Sequence, residues 1–182
     1  MASYIRLSDG VKKGFEQDMV QALSTLGYYA MLDAYKKHTF QHRTRNLHDS
    51  YASAVYVNGK LIDSSIRYIG GQLSREVDHT TKKTGRQTVD DYLRSHSFGG
   101  ANQEIVLVVI AAMYYARILE EGDKSTGSRG PGAKYIVISP ARKYIDQHYW
   151  TAVYKVYDKY GIKDKPKAKV IKGESFKYEK KG

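Results

Sequence analysis

The residues of this chain that could do chemistry are few, and each group lacks a part that its chemistry needs. His38 and His42 are four residues apart, which is the spacing of two metal ligands on one helix face. The zinc-protease pattern also needs Glu beside the first His, where this chain has Thr39, and no third ligand is indicated. The chain has no cysteine, which excludes disulfides and thiolate chemistry. The pair of histidines therefore favours a solvated helix end over a metal site.

Residues 120–127 hold the other polar residues whose types and spacing could form a catalytic or phosphate-binding site. Glu120 and Glu121 are adjacent, so on a helix their side chains point about 100° apart and do not form an acid–base pair. The next residues, Gly122-Asp-Lys-Ser-Thr-Gly, have the composition of a phosphate loop, but Asp123 stands where that loop has Gly before its Lys. No serine-nucleophile, paired-Asp or His-x-Glu signature is present. The sequence predicts a protein that is not an enzyme and uses neither metal nor cofactor.

The first half of the chain predicts a long helix followed by a hairpin. Apolar residues recur at three- and four-residue steps from Val11 to Ala34, which predicts a helix over residues 10–38 after a cap at Ser8 or Asp9. Tyr51–Val57 alternates as a strand does, and Asn58-Gly59 is a strong hairpin signal. We expect a single returning strand over 61–69. Residues 70–103 read as a poorly patterned insert with a short helix near 89–94.

The second half predicts two more strands and a final helix. Residues 104–110 favour a strand, 111–121 a helix, and the Gly-rich stretch 122–133 a mobile arm. Residues 134–139 read as a strand, and Pro140 opens a helix that Gly161 closes. Residues 163–182 are a basic extension, either disordered or able to add as a strand. The chain is thus one α+β domain over 1–162 with a C-terminal tail.

The net charge of +11 is concentrated in a few places. Residues 163–182 carry eight Lys against three acids, and residues 36–48 hold four Lys and Arg with no acid. Phosphates, acidic protein surfaces and anionic membranes all attract such charge, but the chain has no apolar run of about 20 residues that could span a bilayer. Tyrosine, with 17 copies, fits either a protein interface or a half-buried sheet.

Three segments lie in order along the chain: Thr44-Arg-Asn-Leu-His-Asp-Ser, Tyr114-Tyr-Ala-Arg-Ile-Leu-Glu-Glu-Gly and Tyr135-Ile-Val-Ile-Ser-Pro-Ala. In that order these segments resemble the tail-completion family of tailed bacteriophages, the HK97 gp10-like proteins. They match the family's "TGNLR-S" junction after the first helix, its "YA-x-x-x-E-x-G" segment, in which Glu120 matches the acid, and its "P-A" junction before the last helix. The chain departs from the family at Arg45, where the family has Gly, and in the insert 70–103 and the tail.

The resemblance implies a fold in which the N- and C-terminal helices pack on a mixed, mostly antiparallel β-sheet. It also implies a virion structural protein at the head–tail junction, assembled in the host cytoplasm as a ring of identical subunits that joins the portal-side connector to the tail tube. A tail terminator or head-closure protein of the same junction stays open, as does contact of the junction protein with packaged DNA. The charge leaves open an alternative of another class, a sequence-neutral nucleic-acid-binding protein. No membrane partner is expected. The candidate interface residues are Arg43, Arg45, Asn46, Glu120, Lys124, Arg129, Lys169, Phe176 and Tyr178.

Overall fold

A computed structural model describes residues 9–39, 45–71, 75–100, 104–116, 119 and 137–166. These residues form an α+β fold, as predicted, with helices on both faces of a small antiparallel sheet. In chain order the elements are α1 (Asp9–Lys37), α2 (Asn46–Asp49), β1 (Tyr51–Val57), β2 (Lys60–Leu61), a 3-10 helix (Asp63–Ser65), β3 (Arg67–Tyr68), α3 (Gly85–Ser95), β4 (Ile105–Ala111) and α4 (Ser139–Lys159).

The sheet is built around β1, which is buried along its whole length. On one side β1 pairs with β4 over seven residues, from Tyr51 opposite Ala111 to Val57 opposite Ile105. On its other side it pairs with β2 at one end and with β3 at the other. Every one of these pairs is antiparallel, so β4 and the β2–β3 stretch are the two edges of the described sheet.

The hairpin after β1 forms where the sequence predicts it. Asn58 and Gly59 both have positive φ, 52° and 76°, as a two-residue primed turn requires. The single returning strand over 61–69 is wrong, because a 3-10 helix separates β2 from β3. The hydroxyl of Ser65 replaces a backbone partner there: it accepts a hydrogen bond from Val55 N at 2.8 Å. A side chain thus satisfies the β1 backbone while the strand is interrupted.

Side chains alternate between the two faces of the sheet, and each face is covered by different helices. Odd-numbered residues of β1 and β4 point toward α1 and α4, and even-numbered residues point toward α3. Gly27 lets α1 approach the sheet closely, because a Cβ there would lie 2.8 Å from the Ser53 side chain. The molecule therefore has three layers: α1 with α4, the sheet, and α3.

Helices α1 and α4 pack antiparallel, with the start of α1 against the end of α4. Phe15 contacts the rings of Tyr157 and Tyr160 edge-on, at centroid distances of 5.1 and 5.5 Å. The helix predicted over 10–38 is confirmed, but its apolar face is wider than predicted. It also buries Leu23, Ser24, Gly27 and Met31, since α1 contacts both the sheet and α4.

The described part of the insert, residues 70–71 and 75–100, contributes to the core of the fold. Its helix α3 begins with a capping box, in which Thr84 accepts from Gln87 N and the Gln87 side chain accepts from Thr84 N. Val89 and Leu93 are fully buried against the sheet, and Leu93 O accepts a hydrogen bond from the Tyr56 hydroxyl. Without this segment the α3 face of β1 would be exposed to water.

Two predicted boundaries differ in the second half of the chain. The strand predicted over 104–110 ends one residue later, at Ala111, and helical hydrogen bonding appears where Leu119 N donates to Tyr115 O. The strand predicted over 134–139 is wrong at its end, because Ser139 is the first residue of α4 and Pro140 follows within the first turn. Residues 134–136 lie outside the described residues, as does the predicted arm 122–133.

Candidate interface at the free edge of the sheet

Strand β4 has one paired edge and one free edge among the residues that the structure describes. Asn58 N donates to Glu104 O, and Ala112 N donates to Ser50 O. Since hydrogen-bonded residues alternate along an antiparallel pair, the even residues of β4 direct their backbone groups toward β1. The odd residues therefore direct their N–H and C=O groups outward. The outward set is Ile105, Leu107, Val109 and Ala111.

The composition of β4 makes this edge unusual. The strand reads Ile-Val-Leu-Val-Val-Ile-Ala, with no charge, no proline and no glycine, and all seven residues are partly exposed. Proteins normally blunt such edges with Lys, Pro, bulges or very short strands, because an open edge is a template for another strand. The β4 edge has none of these protections. Its four outward N–H and four outward C=O groups can form hydrogen bonds with an added strand.

The opposite edge of the sheet is protected. It consists of two strands of two residues each, separated by the 3-10 helix, and it carries the charged residues Lys60, Asp63 and Arg67. Arg94 of α3 also reaches across to Asp63, with Nη1 at 2.6 Å from the carboxylate. A long strand cannot pair along this edge. The two edges are therefore not complementary to each other.

A charged network fixes α3 beside β3. The Tyr68 hydroxyl donates to Asp90 at 2.5 Å, and Arg94 Nε donates to the same carboxylate at 3.0 Å. The hydrogen bond from Tyr68 is the largest cause that lowers the pKa of Asp90. Burial, with the bond to Asp90, raises the pKa of Tyr68 to about 12. Both groups therefore keep their neutral-pH ionisation states, so this network is structural.

In the junction segment that carries the family resemblance, residues 45–50 are described, and all of them except Arg45 are buried. Arg45 is exposed and has φ 61° and ψ 0°, the left-handed conformation that glycine adopts most easily. Residues 46–50 after it are all buried. Of the candidate interface residues that are described, Arg45 is thus at the surface and Asn46 is not.

Asn46 connects the junction segment to the insert. Its amide oxygen accepts from Gly85 N at 2.9 Å, and its amide nitrogen donates to Glu76 O at 3.2 Å. Asn46 is only 1 % exposed, so its prediction as an interface residue is corrected to an internal clamp. Sequence reasoning missed Gly85 as its partner. A Gly directly after a capping Thr is the signal that could have drawn attention to it.

The histidine that follows in this segment lies in an aromatic cluster. The His48 ring lies 4.3 Å from the Tyr35 ring and 4.3 Å from the His38 ring, measured between centroids. His42, the predicted partner of His38, is outside the described residues. Within the described ranges no group of three His, Asp or Glu side chains is placed to hold a metal ion. None of the described helices is long and apolar enough to cross a membrane.

Much of the positive charge lies outside the described residues. Those residues carry 18 Lys and Arg against 14 Asp and Glu, so they account for a net charge of +4 out of +11. Arg43, Glu120, Lys124, Arg129, Lys169, Phe176 and Tyr178, all predicted interface residues, also lie outside them. The described part of the molecule is therefore only mildly basic.

Comparisons of the chain with models of protein families, with curated proteins and with solved structures found no match.

Proposed function

We propose that this protein is a structural subunit of the head–tail junction of a tailed bacteriophage, of the tail-completion type, which assembles with copies of itself through the free edge of β4. The observation that carries the proposal is the outward row of backbone groups on an uncharged seven-residue strand. Such an edge favours association with another polypeptide strand, since a neighbour supplies the hydrogen bonds that the edge lacks. Its function is then assembly, with the portal-side connector and the tail tube as neighbours.

The conformation of the junction segment supports the family assignment. Arg45 stands where the family has Gly, and its φ of 61° is one that glycine adopts without strain. The next family residue, Asn, is Asn46, whose side chain holds the start of α3. A left-handed turn at position 45 would explain the family's Gly, and Arg45 adopts that turn with backbone strain. The hydrogen bond from Gly85 N would explain the Asn at position 46.

The two sheet edges restrict how subunits could join. A ring of subunits sharing one continuous sheet needs two complementary edges on each subunit. The β2–β3 edge is interrupted and charged, so a neighbour's β4 has no matching edge to pair with. The subunits of the proposed ring are therefore joined by a strand from outside the four-stranded sheet.

A proline placed on the outward side of β4 tests the assembly role. Val109 directs its N–H away from β1, so Val109→Pro removes an outward donor and leaves the β1–β4 ladder intact. We expect the wild-type chain to self-associate as its concentration rises, and Val109→Pro to shift association to at least about tenfold higher concentration, which corresponds to a loss of about 1.4 kcal/mol. Sedimentation velocity measures this.

Two control variants separate the edge from its side effects. Val109→Ala removes the packing of the side chain and keeps the N–H, so it should associate as the wild type does. Val108→Pro removes a donor that faces β1 and should unfold the sheet. If Val109→Pro and the wild type associate alike, β4 is not the contact. In a phage particle, a reconstruction that places the chain away from the portal-to-tail axis would refute the junction role.

Nucleic-acid binding remains the alternative of another class, and the +11 charge favours it. Contacts to phosphate release counterions, so binding would weaken steeply as salt rises. A filter-binding titration with duplex fragments distinguishes the two functions. Tight, salt-sensitive binding supports the alternative, and absence of binding near physiological salt supports the assembly role.

A further inference from the structure

We propose that the C-terminal tail of the same chain covers the free edge of β4 in the isolated subunit, with residues 169–178 forming a fifth strand parallel to β4. The described chain ends beside α4, leaves it in the direction of β4, and would reach the free edge by a right-handed connection. The strand itself does not depend on the proposed function, whereas its consequence for assembly does.

The chain reverses at the end of α4. Gly161 has φ 65°, and the bonds from Gly161 N to Asp158 O and from Ile162 N to Tyr157 O form a Schellman motif. The chain then returns along the helix, because Lys165 Nζ lies 2.7 Å from Asp158 and 4.8 Å from the centre of the Tyr154 ring. The tail therefore leaves on the surface of α4, pointing back toward the start of that helix.

This direction is parallel to β4. The beginning of α4 packs in the same cluster as Val109 and Ala111, at the end of β4, and Val153 and Val156 pack with Ile105 and Leu107, at its beginning. Helix α4 is thus antiparallel to β4, and a chain that reverses after it runs with β4. The twelve residues 167–178 can extend over about 40 Å, whereas seven residues of strand need about 23 Å. The tail is long enough to descend to the edge and follow it.

The crossover from β4 through α4 to the tail strand would be right-handed. Seen from the α1–α4 side with β4 running upward, an L-residue whose side chain points at the viewer directs its N–H and C=O to the right. Leu107 and Val109 are such residues, so β1 lies on the left and the free edge on the right. A strand placed there after α4 makes a right-handed crossover, as about 98 % of parallel connections do.

The tail also has a suitable composition. Val170, Phe176 and Tyr178 are an even number of positions apart, so in a strand they would share one face, and Lys169, Ser175 and Lys177 would share the other. The nearest competitor is the segment before α4. Its described residue Val137 lies in the same core cluster as Ile69, Val109 and Ala111, and its carbonyl accepts a hydrogen bond from the Tyr51 hydroxyl of β1. Among the described residues no backbone hydrogen bond joins Val137 to β4.

A tail on the edge would act as a reversible cover. While it occupies β4, the edge cannot pair with a neighbouring copy, so subunits stay apart until a neighbour's strand displaces it. Association through β4 then requires the tail to leave its own subunit, and exchange of tails between copies would join subunits without the β2–β3 edge. This consequence rests on the proposed function.

Residue-resolved amide exchange by NMR tests the strand in the full-length chain at a concentration where sedimentation shows a monomer. The outward amides of Leu107 and Val109 report the free edge, and the inward amides of Val106 and Val108 report the β1 ladder. We expect both pairs to be protected in the wild type. In Ile171→Pro/Lys177→Pro, which prevents strand pairing in both halves of the segment, the outward amides should exchange roughly tenfold faster or more while the inward amides do not change.

Each other outcome overturns the proposal. Outward amides that already exchange freely in the wild type would show an open edge. Outward amides that remain protected in the proline variant would show another occupant. Protection that appears only as concentration rises would show a second copy on the edge, which contradicts the tail strand and leaves the assembly role intact. Lys181→Pro, beyond the segment, is the matched control and should behave as the wild type does.

Discussion

Replacing Gly85 with alanine probes the contact that joins the junction segment to the insert. An ideal Cβ on Gly85 would lie 1.8 Å from the carbonyl oxygen of Asn46 and 2.7 Å from its carbonyl carbon. Since real Cβ atoms essentially never approach within 3.0 Å, the start of α3 would have to move by about 1.2 Å. The obstacle is backbone, so no side chain can rotate away. The movement would also stretch the bond from Gly85 N to the Asn46 side chain.

The expected effect follows from three contributions to the free energy of unfolding. Forced displacement in a packed core costs about 3 kcal/mol, and a lost hydrogen bond costs about 1 kcal/mol. Alanine in place of glycine in a helix returns about 1 kcal/mol. Gly85→Ala should therefore destabilise the fold by about 3 kcal/mol. Urea unfolding followed by far-UV circular dichroism measures the change.

Gly10→Ala is the matched control, because Gly10 is also at a helix start and a Cβ there meets nothing within 4 Å. That substitution should be neutral or should stabilise the protein by up to about 1 kcal/mol. Gly85→Ala should therefore lower the free energy of unfolding, whereas Gly10→Ala should leave it unchanged or raise it. If Gly85→Ala were as stable as Gly10→Ala, the close approach of α3 to Asn46 would not exist.

Two further predictions concern the junction and the helix pair. Arg45→Gly should stabilise the fold by about 1 kcal/mol, because a non-glycine residue is strained at φ 61°. The control Lys60→Gly, in the extended strand β2, should destabilise the fold. If urea unfolding gave the same effect for both substitutions, the left-handed turn at Arg45 would be contradicted. The Lys159 ammonium at 2.6 Å and the Tyr160 hydroxyl at 2.7 Å lower the pKa of Asp18 below its ordinary value of 3.8. The contact therefore stabilises the folded state above about pH 4, and that contribution is lost as the pH falls through the lowered pKa. Asp18→Asn should lower the melting temperature at neutral pH and should have the melting temperature of the wild type in strong acid. The control Asp146→Asn should not change the melting temperature at either pH. If the lower melting temperature of Asp18→Asn persisted unchanged in acid, packing rather than charge would be its cause.

The abundance of tyrosine was compatible with either a protein interface or a half-buried sheet, and the burial of individual tyrosines distinguishes the two. Tyr51 and Tyr56 are fully buried, and each hydroxyl donates to a backbone carbonyl, of Val137 and Leu93 respectively. Burial raises the pKa of Tyr56 to about 12. Tyr29, in contrast, is 50 % exposed on α1. The abundant tyrosines therefore serve the core at least in part, and their number alone does not indicate an interface.

Local patterns determined the elements of this protein. The repeat of apolar residues in α1, the alternation in β1, the Asn58-Gly59 turn and Pro140 near the start of α4 are short-range signals, and each element formed where its signal lies. The interrupted return strand was not visible in this way. Its cause is the Ser65 hydroxyl bonded to Val55, ten residues away in sequence, so the side chain competes with the backbone only once both strands are in place.

The tertiary structure alone decided which residues can serve as a site. The sequence marks Asn46 as a polar residue at a junction, but whether it meets a partner or the interior depends on α3, which starts 39 residues later. The sequence also presents β4 as an apolar strand, which usually means a buried one. Only the pairing order shows that one of its edges has no partner strand among the described residues, because strand order is set by contacts between segments far apart in the chain.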